Sequence, residues 1–465
     1  MFLESCNTPE TVRELLARIG ISVSTTAIND MVSSLSKETQ TDIQRLGQSL
    51  LAAYAYDNLD IDLKTAVPTM EKDTTTLIHL TSGTLLPLDD SITHDDLNCS
   101  EDLWKKSRDN LKAQRSDIPP APNLGRLITI HPEDEHPSGL QRRDRFNSWI
   151  FLCDLVKHGP MYFRKYLKQL GAPEGIEMLP VKKTIQVPLR MMDINPATPA
   201  ANGEVQDAMF AQTAVGDPKE TEMPVKDIGN HVVLEHGDLG VGQHLDSLLE
   251  SRAAEATPWR RQRFVVYVMG LFHLKMACAD AIWRIFIKPP EARNEQDLNT
   301  LIRHVSELRP KETGKITTKP GFRRMHEIIQ HVGIVSRLGC WAAEVKKVRD
   351  IKSLEAFAET KPTWDQLQDI ANRLSLERVA QSDFPQRHER KESRDIEFEN
   401  MLLRQQYFLL YEEISYALNH GDIGRVEDCF LPWAFIFRGC GKHKYAKHMV
   451  KHLHNLYYVY PDRLK

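Results

Sequence analysis

His231-Val232-Val233-Leu234-Glu235 is a short apolar run. It leads through His236-Gly237-Asp238-Leu239-Gly240-Val241-Gly242 into a segment carrying Leu245, Leu248 and Leu249. The run predicts a strand, the glycines a tight turn with positive φ, and the leucine spacing a helix. Asp238 therefore stands at a strand–turn–helix junction. Upstream, Leu59-Asp60-Ile61-Asp62-Leu63-Lys64 alternates apolar and charged residues, which predicts a strand with one buried face. Thr74 to Thr81 reads as a second strand. Thr84 to Leu88 reads as a third, after a Ser82-Gly83 turn, so that the three form an antiparallel meander. Thr184 to Leu189 is a further strand candidate. The expected sheet is small and mixed, with strands near 59–65, 74–88, 184–189 and 231–236.

Most of the remaining chain reads as helix. Residues 8–56 are expected to be helical, with Thr8 as N-cap, Pro9 at the first helical position and Gly20 ending the first helix. Asp89 to Asn147 is polar and Pro-rich and predicts a long surface insertion. Phe151 to Leu170 predicts a helix, and residues 171–230 are rich in Pro and Gly. After residue 258 the strongest helical segments are 259–287, 295–308, 321–338, 341–358, 364–380 and 394–419. The fold class is α+β, predominantly helical, with the sheet embedded in a large helical shell. The expected organisation is an N-terminal helical segment (1–56), a first part of the sheet core (57–88) and a polar insertion with a helix (89–180). A second part of the core (181–290), a helical insertion (291–392) and a C-terminal helical part of the core (393–465) follow.

The 465 residues are 41% hydrophobic and 27% charged, which excludes collagen, a wholly disordered chain and a small disulfide scaffold. With 60 basic and 64 acidic residues the net charge is −4, so nucleic-acid binding would need a local basic patch. Seven dispersed cysteines without a C-x-x-C pair suit a reducing, intracellular compartment. Met1 to Glu10 lacks the apolar core of a signal peptide. The most apolar window, Phe264 to Ile287, is interrupted by His273, Lys275, Asp280 and Arg284 and reads as a buried helix of a soluble protein.

Separated acids are the first chemical signal. Asp57 lies just before the first strand, Asp238 follows a later one, and Glu412, Glu413, Asp422 and Glu427 lie in or after a late helix. Nucleases that hold two divalent cations about 3.5–4 Å apart need shared carboxylates at such stations. Each acid also reads as an ordinary turn or cap residue. Gly237, Gly240 and Gly242 do not have the G-x-G-x-x-G spacing of a dinucleotide site. Near the C-terminus, Lys444, Lys447, His448 and Lys451 share one polar helical face that could contact phosphates, with Tyr445 and Met449 toward a core. A solvated basic helix is the plain alternative. Cys429, Cys440, His443 and His448 offer zinc-ligand types at spacings unlike a structural knuckle. The pairs His326/His331 and His131/His136 are weaker metal signals. Nucleophile elbows and P-loops are absent.

Three stretches resemble a fungal domain family of unknown function found in genes that look transposon-derived. They are Tyr56-Asp57-Asn58-Leu59-Asp60-Ile61-Asp62 with Leu77 to Thr84; Gly237-Asp238-Leu239 with Phe272-His273; and Ala417 to Asp428 with Gly439 to Ala446. The last contains Gly421-Asp422-Ile423-Gly424-Arg425-Val426-Glu427-Asp428, the most specific of the three. The resemblance implies kinship with RNase H-like, acid-triad transposases and an RNase H-like sheet. It implies Asp57, Asp238 and Glu427 as catalytic metal ligands, with Glu412 or Glu413 as alternatives to Glu427. Mg²⁺ would be the cofactor, DNA the partner held by Lys444, Lys447 and Lys451, and the nucleus the location. Members of the family continue past the point where this chain stops, so the sequence reads as truncated. The competing expectation is a catalytically inactive, domesticated nucleic-acid- or protein-binding helical protein.

Overall fold

The computed structural model describes residues 8–62, 77–294, 300–381 and 394–465. The chain forms two compact units. The first comprises Met1–Pro120, Lys182–Gly270 and Val459–Lys465; the second comprises Ala121–Val181 and Leu271–Tyr458. In chain order the principal strands are β1 (Ala52–Asp62), β2 (Leu77–Pro87), β3 (Val187–Pro188), β4 (Val233–Gly237) and β5 (Val265–Met269). The principal helices are α1 (Glu10–Arg18), α2 (Thr25–Gln48), α3 (Arg142–His158), α4 (Pro199–Thr213), α5 (Leu239–Ser251) and α6 (Leu271–Phe286). They continue with α7 (Gly321–Arg349), α8 (Trp364–Glu377), α9 (Ile396–His420), α10 (Ile423–Gly439) and α11 (His443–His454).

The first unit is built on a five-stranded mixed sheet in the order β3-β2-β1-β4-β5. The pairs β1–β2 and β2–β3 are antiparallel, whereas β1–β4 and β4–β5 are parallel. Parallel neighbours need a crossover, and α5 supplies it between β4 and β5. One face of the sheet is covered by α4. Tyr54 and Tyr56 of β1 point into that layer, where their hydroxyls reach Thr213 Oγ1 at 3.0 Å and Asn202 Oδ1 at 2.8 Å. Leu85, Val205, Met209, Phe210, Val233, Leu245 and Phe264 complete the core.

Several expectations change here. The helical reading of 8–56 fails after Gln48, because Ala52–Tyr56 already pairs with β2. The first helix starts at Glu10 with Pro9, not Thr8, at the capping position. Gly20 does follow it, at φ +76°. Ser82-Gly83 is not a turn: β2 runs straight through it, and the glycine makes room for β3's neighbour Leu189, whose Cδ1 would stand 2.9 Å from an added Cβ. The window 259–287 is not one helix, because Val265–Met269 forms the edge strand β5. Its β-branched and aromatic residues pair with β4, and Gly270 separates it from α6. The Pro- and Gly-rich stretch 171–230 also contains α4, capped by Thr198 with Pro199 in its first turn. Leu63-Lys64 and Thr74 to Thr76 of the expected strands lie outside the described residues.

The second unit is helical. Phe151 and Leu155 of α3, Trp341 and Val345 of α7, Leu367 and Leu374 of α8, and Leu409 of α9 share one core, joined by Phe357. The Trp341 indole donates to the Phe151 carbonyl at 2.9 Å. Arg337 of α7 is fully buried between Asp154 (2.5 Å) and Glu412 (2.9 Å). Among the described residues, no helix is long and apolar enough to cross a membrane.

Candidate functional site

Asp57 lies within β1, and Asp238 directly follows the end of the neighbouring strand β4. Tyr54 pairs with Glu235 and Ala55 with His236 in the parallel β1–β4 register. Asp57 comes two residues further along β1, and Asp238 two residues after His236, just past the end of β4. Asp238 still has extended backbone, φ −72° and ψ −178°. Adjacent strands lie about 4.8 Å apart, so the two backbones are close. Strand alternation fixes the side as well. Tyr54, Tyr56 and Glu235 face α4, so Asp57 and His236 belong to the opposite face, whereas Asp238 follows the end of β4 and turns its carboxylate to the first turn of α5. Asp57 is exposed, and one of its carboxylate oxygens accepts from the Asn58 amide at 2.8 Å. Asp238 caps α5: its Oδ1 accepts from the Val241 amide at 2.9 Å. The Tyr267 hydroxyl donates to the Asp238 carbonyl at 2.6 Å and steadies the junction. His236 shares the face of Asp57, and burial pulls its imidazole below the usual histidine range.

The glycines beside Asp238 do not supply the positive φ expected of them, for none of the three is in the left-handed region. They permit close packing. A Cβ on Gly237 would meet Val241 Cγ1 at 2.6 Å, and one on Gly242 would meet the Tyr267 ring at 2.5 Å.

On the α4 side of β4, Glu235 is fully buried. Gln206 Nε2 donates to both its oxygens, at 3.2 and 3.0 Å. Burial outweighs these bonds and pushes the Glu235 carboxyl up to about 7.

The late acids lie in the second unit, each with partners there. Glu412 pairs with Arg337. Glu413 pairs with Arg143 at 2.8 Å and Arg425 at 3.1 Å. Asp422 caps α10, accepting from Arg425 N, and also accepts the amides of Ile176 and Glu177. Glu427 sits between two imidazoles: His131 Nε2 is 2.7 Å from Oε2 and His452 Nε2 is 3.0 Å from Oε1. Burial opposes ionisation of Glu427, but the bonds from His131 and His452 outweigh it and hold the carboxyl below its usual range.

The Gly421–Asp428 motif thereby acquires a physical explanation. Gly421 ends α9 at φ +71°. Gly424 admits the 176–177 segment against the first turn of α10. Buried Arg425 joins Glu413, Asp422 and the Glu174 carbonyl. Asp428 pairs with Arg142 at 3.0 Å.

On α11, Lys444, Lys447 and Lys451 are exposed and Met449 is buried, in keeping with the helical spacing. His448 is buried with Met449 rather than sharing the lysine face. Cys429 is a buried free thiol, pushed well above its usual range by burial. Among the described residues, the His/Cys/Asp/Glu group placed to share an ion is His131, Glu177 and Glu427. It includes none of Cys429, Cys440, His443 and His448, and neither Asp57 nor Asp238.

Fold and site together define an α+β protein with a mixed-sheet unit and a helical unit rich in buried ion pairs. The chain belongs to a family of unknown function (DUF6589), whose model matches residues 121–465. That match includes Asp238, Glu427 and the C-terminal lysines and begins after β1 and Asp57. No curated protein and no solved structure matches the chain.

Proposed function

We propose that this chain is a transposase-derived protein of the RNase H-like class that cleaves or transfers DNA strands with divalent cations. One observation carries the reading: Asp57 and Asp238 each follow by two residues a position of the β1–β4 register, Ala55 and His236, so their segments are neighbours. The small mixed sheet is in keeping with the RNase H-like core that the resemblance implies, by fold-level analogy alone. The hard carboxylate oxygens of Asp57 and Asp238 suit Mg²⁺. Bound there, divalent cations would polarise a phosphodiester and activate a water or hydroxyl for attack. Glu427 has both oxygens engaged by histidines, so the proposal rests on the two aspartates. Lys444, Lys447 and Lys451 would hold DNA phosphates, and a DNA substrate fits a nuclear location.

Asp238→Asn is the sharpest test. Asparagine caps a helix about as well as aspartate, so the variant keeps α5 while losing the anionic ligand. Nicking of DNA in Mg²⁺ or Mn²⁺ should vanish in the variant; equal cutting would reject the assignment.

A second reading, an inactive DNA-binding descendant, is favoured by a specific observation. Asp238 Oδ1 already serves as a cap, and Glu412, Glu413, Asp422 and Glu427 all have partners within their own unit. On that reading the protein binds DNA and cuts none.

A further inference from the structure

We propose that His131, Glu177, Glu427 and His452 form a binding site for one divalent transition-metal ion, Zn²⁺ by the chemistry of its donors. This site lies within the helical unit and is independent of the reading of Asp57 and Asp238. Its donors come from four separate places: the segment before α3, the segment after residue 170, α10 and α11. Donor atoms of His131, Glu177 and Glu427 all lie within 4.8 Å of one another. His452 Nε2 faces the second oxygen of Glu427 at 3.0 Å, outside that group of three, and completes the set once it swings toward the ion.

Ligand atoms about 2.0–2.2 Å from a tetrahedral zinc stand roughly 3.3–3.6 Å apart. His131 and Glu427 are already inside that spacing. The exposed Glu177 side chain can turn the remaining distance at little cost. Two carboxylates and two neutral imidazoles balance a dication. Imidazole nitrogen favours zinc and its neighbours over magnesium, which prefers oxygen alone. Each imidazole must then present the Nε2 lone pair and carry its proton on Nδ1.

An independent set of bonds holds the backbone beneath these donors. The Glu177 amide donates to Asp422 Oδ1 at 3.0 Å, and its carbonyl accepts from Ile423 N at 2.9 Å. Gly424 leaves space for that approach. Arg142 Nη1 donates to the His131 carbonyl at 3.2 Å and to Asp428 at 3.0 Å. So Glu177, although its side chain is exposed, is anchored on both sides of its peptide to the start of α10. These bonds fix the points at which the His131 and Glu177 side chains leave the backbone.

The test is calorimetric titration of the full, metal-stripped chain with Zn²⁺, paired with the visible spectrum of the Co²⁺-loaded protein. One ion per chain and a tetrahedral Co²⁺ spectrum are expected. Glu177→Gln, an exposed change that leaves the fold intact, should weaken binding by at least about tenfold. His452→Gln combined with His131→Gln should abolish both the heat and the Co²⁺ band. Asp57→Asn with Asp238→Asn should leave both unchanged, which separates this site from the proposed nuclease centre. A wild-type chain that binds no Zn²⁺, or variants that bind as wild type does, would overturn the proposal: Glu427 would then be a carboxylate strut between two N–H donors.

Discussion

Gly424 lies so close to Glu177 that a β-carbon on it would stand 2.9 Å from Glu177 Cβ, 3.0 Å from its amide nitrogen and 2.7 Å from Ile176 Cγ2. The neighbour is backbone held by Asp422, so it cannot simply swing aside. Gly424→Ala should therefore cost about 1–3 kcal/mol in denaturant unfolding, the usual range for forced overpacking. Gly339, exposed in the middle of α7 with open space where a methyl group would project, is the control. Gly339→Ala should stabilise by about 0.5–1 kcal/mol through helix propensity.

Glu235 gives the protein a pH-dependent stability of definite sign. Its carboxyl rises from 4.5 to about 7 on folding. Between those values the folded chain binds more protons than the unfolded one, so stability falls as pH rises through the window. The contribution is fully present below pH 4.5 and lost by about pH 7; at 1.36 kcal/mol per pKa unit it amounts to about 3 kcal/mol. Glu235→Gln should flatten this part of the profile measured by chemical denaturation. Gln206 Oε1, buried without a hydrogen bond, becomes available to an amide or a protonated carboxyl at that position once the Gln206 amide turns over.

Arg337 is one buried cation between two carboxylates, and burial pushes Glu412 up to about 7. Removing the cation strands both acids. Arg337→Ala should cost about 3–5 kcal/mol, whereas Glu412→Gln, which removes the surplus charge, should cost far less and gain ground above pH 7. Paired denaturation curves at pH 6 and about pH 8.5 compare the two.

The lysines of α11 predict a salt dependence. Replacing Lys444, Lys447 and Lys451 with glutamine should lower the slope of log K against log salt for duplex DNA by about 2.7, at roughly 0.9 for each phosphate that is no longer neutralised. Fluorescence anisotropy across a salt series measures it. An unchanged slope would remove these residues from the DNA-binding proposal.

The sequence made β4, its turn and α5 legible because an apolar run, a capping aspartate and evenly spaced leucines all pointed the same way. It concealed β5, because Val265–Met269 adjoins the apolar face of α6 and only Gly270 divides them. Gly83 misled for a related reason. Glycine punctuates turns, but it also serves wherever another segment crosses a strand closely, and Leu189 crosses there. Asp238 at the end of an apolar run could be read from the sequence, but Asp57, expected just before a strand at 59–64, stands in the middle of β1, which starts at Ala52. The grouping around Glu427 could not be read, since His131 lies 296 residues away and nothing local in either sequence window specifies the other. Glu177 carries no motif at all; only the Asp422 cap brings it there.

Cleavage of supercoiled DNA by the purified chain, with and without Mg²⁺ or Mn²⁺, tests the central claim most directly when Asp57→Asn and Asp238→Asn are assayed alongside the wild type. The account predicts cation-dependent nicking by the wild type and none by either folded variant. A folded wild-type chain that leaves the DNA intact, or variants that nick it as well as the wild type, would contradict it.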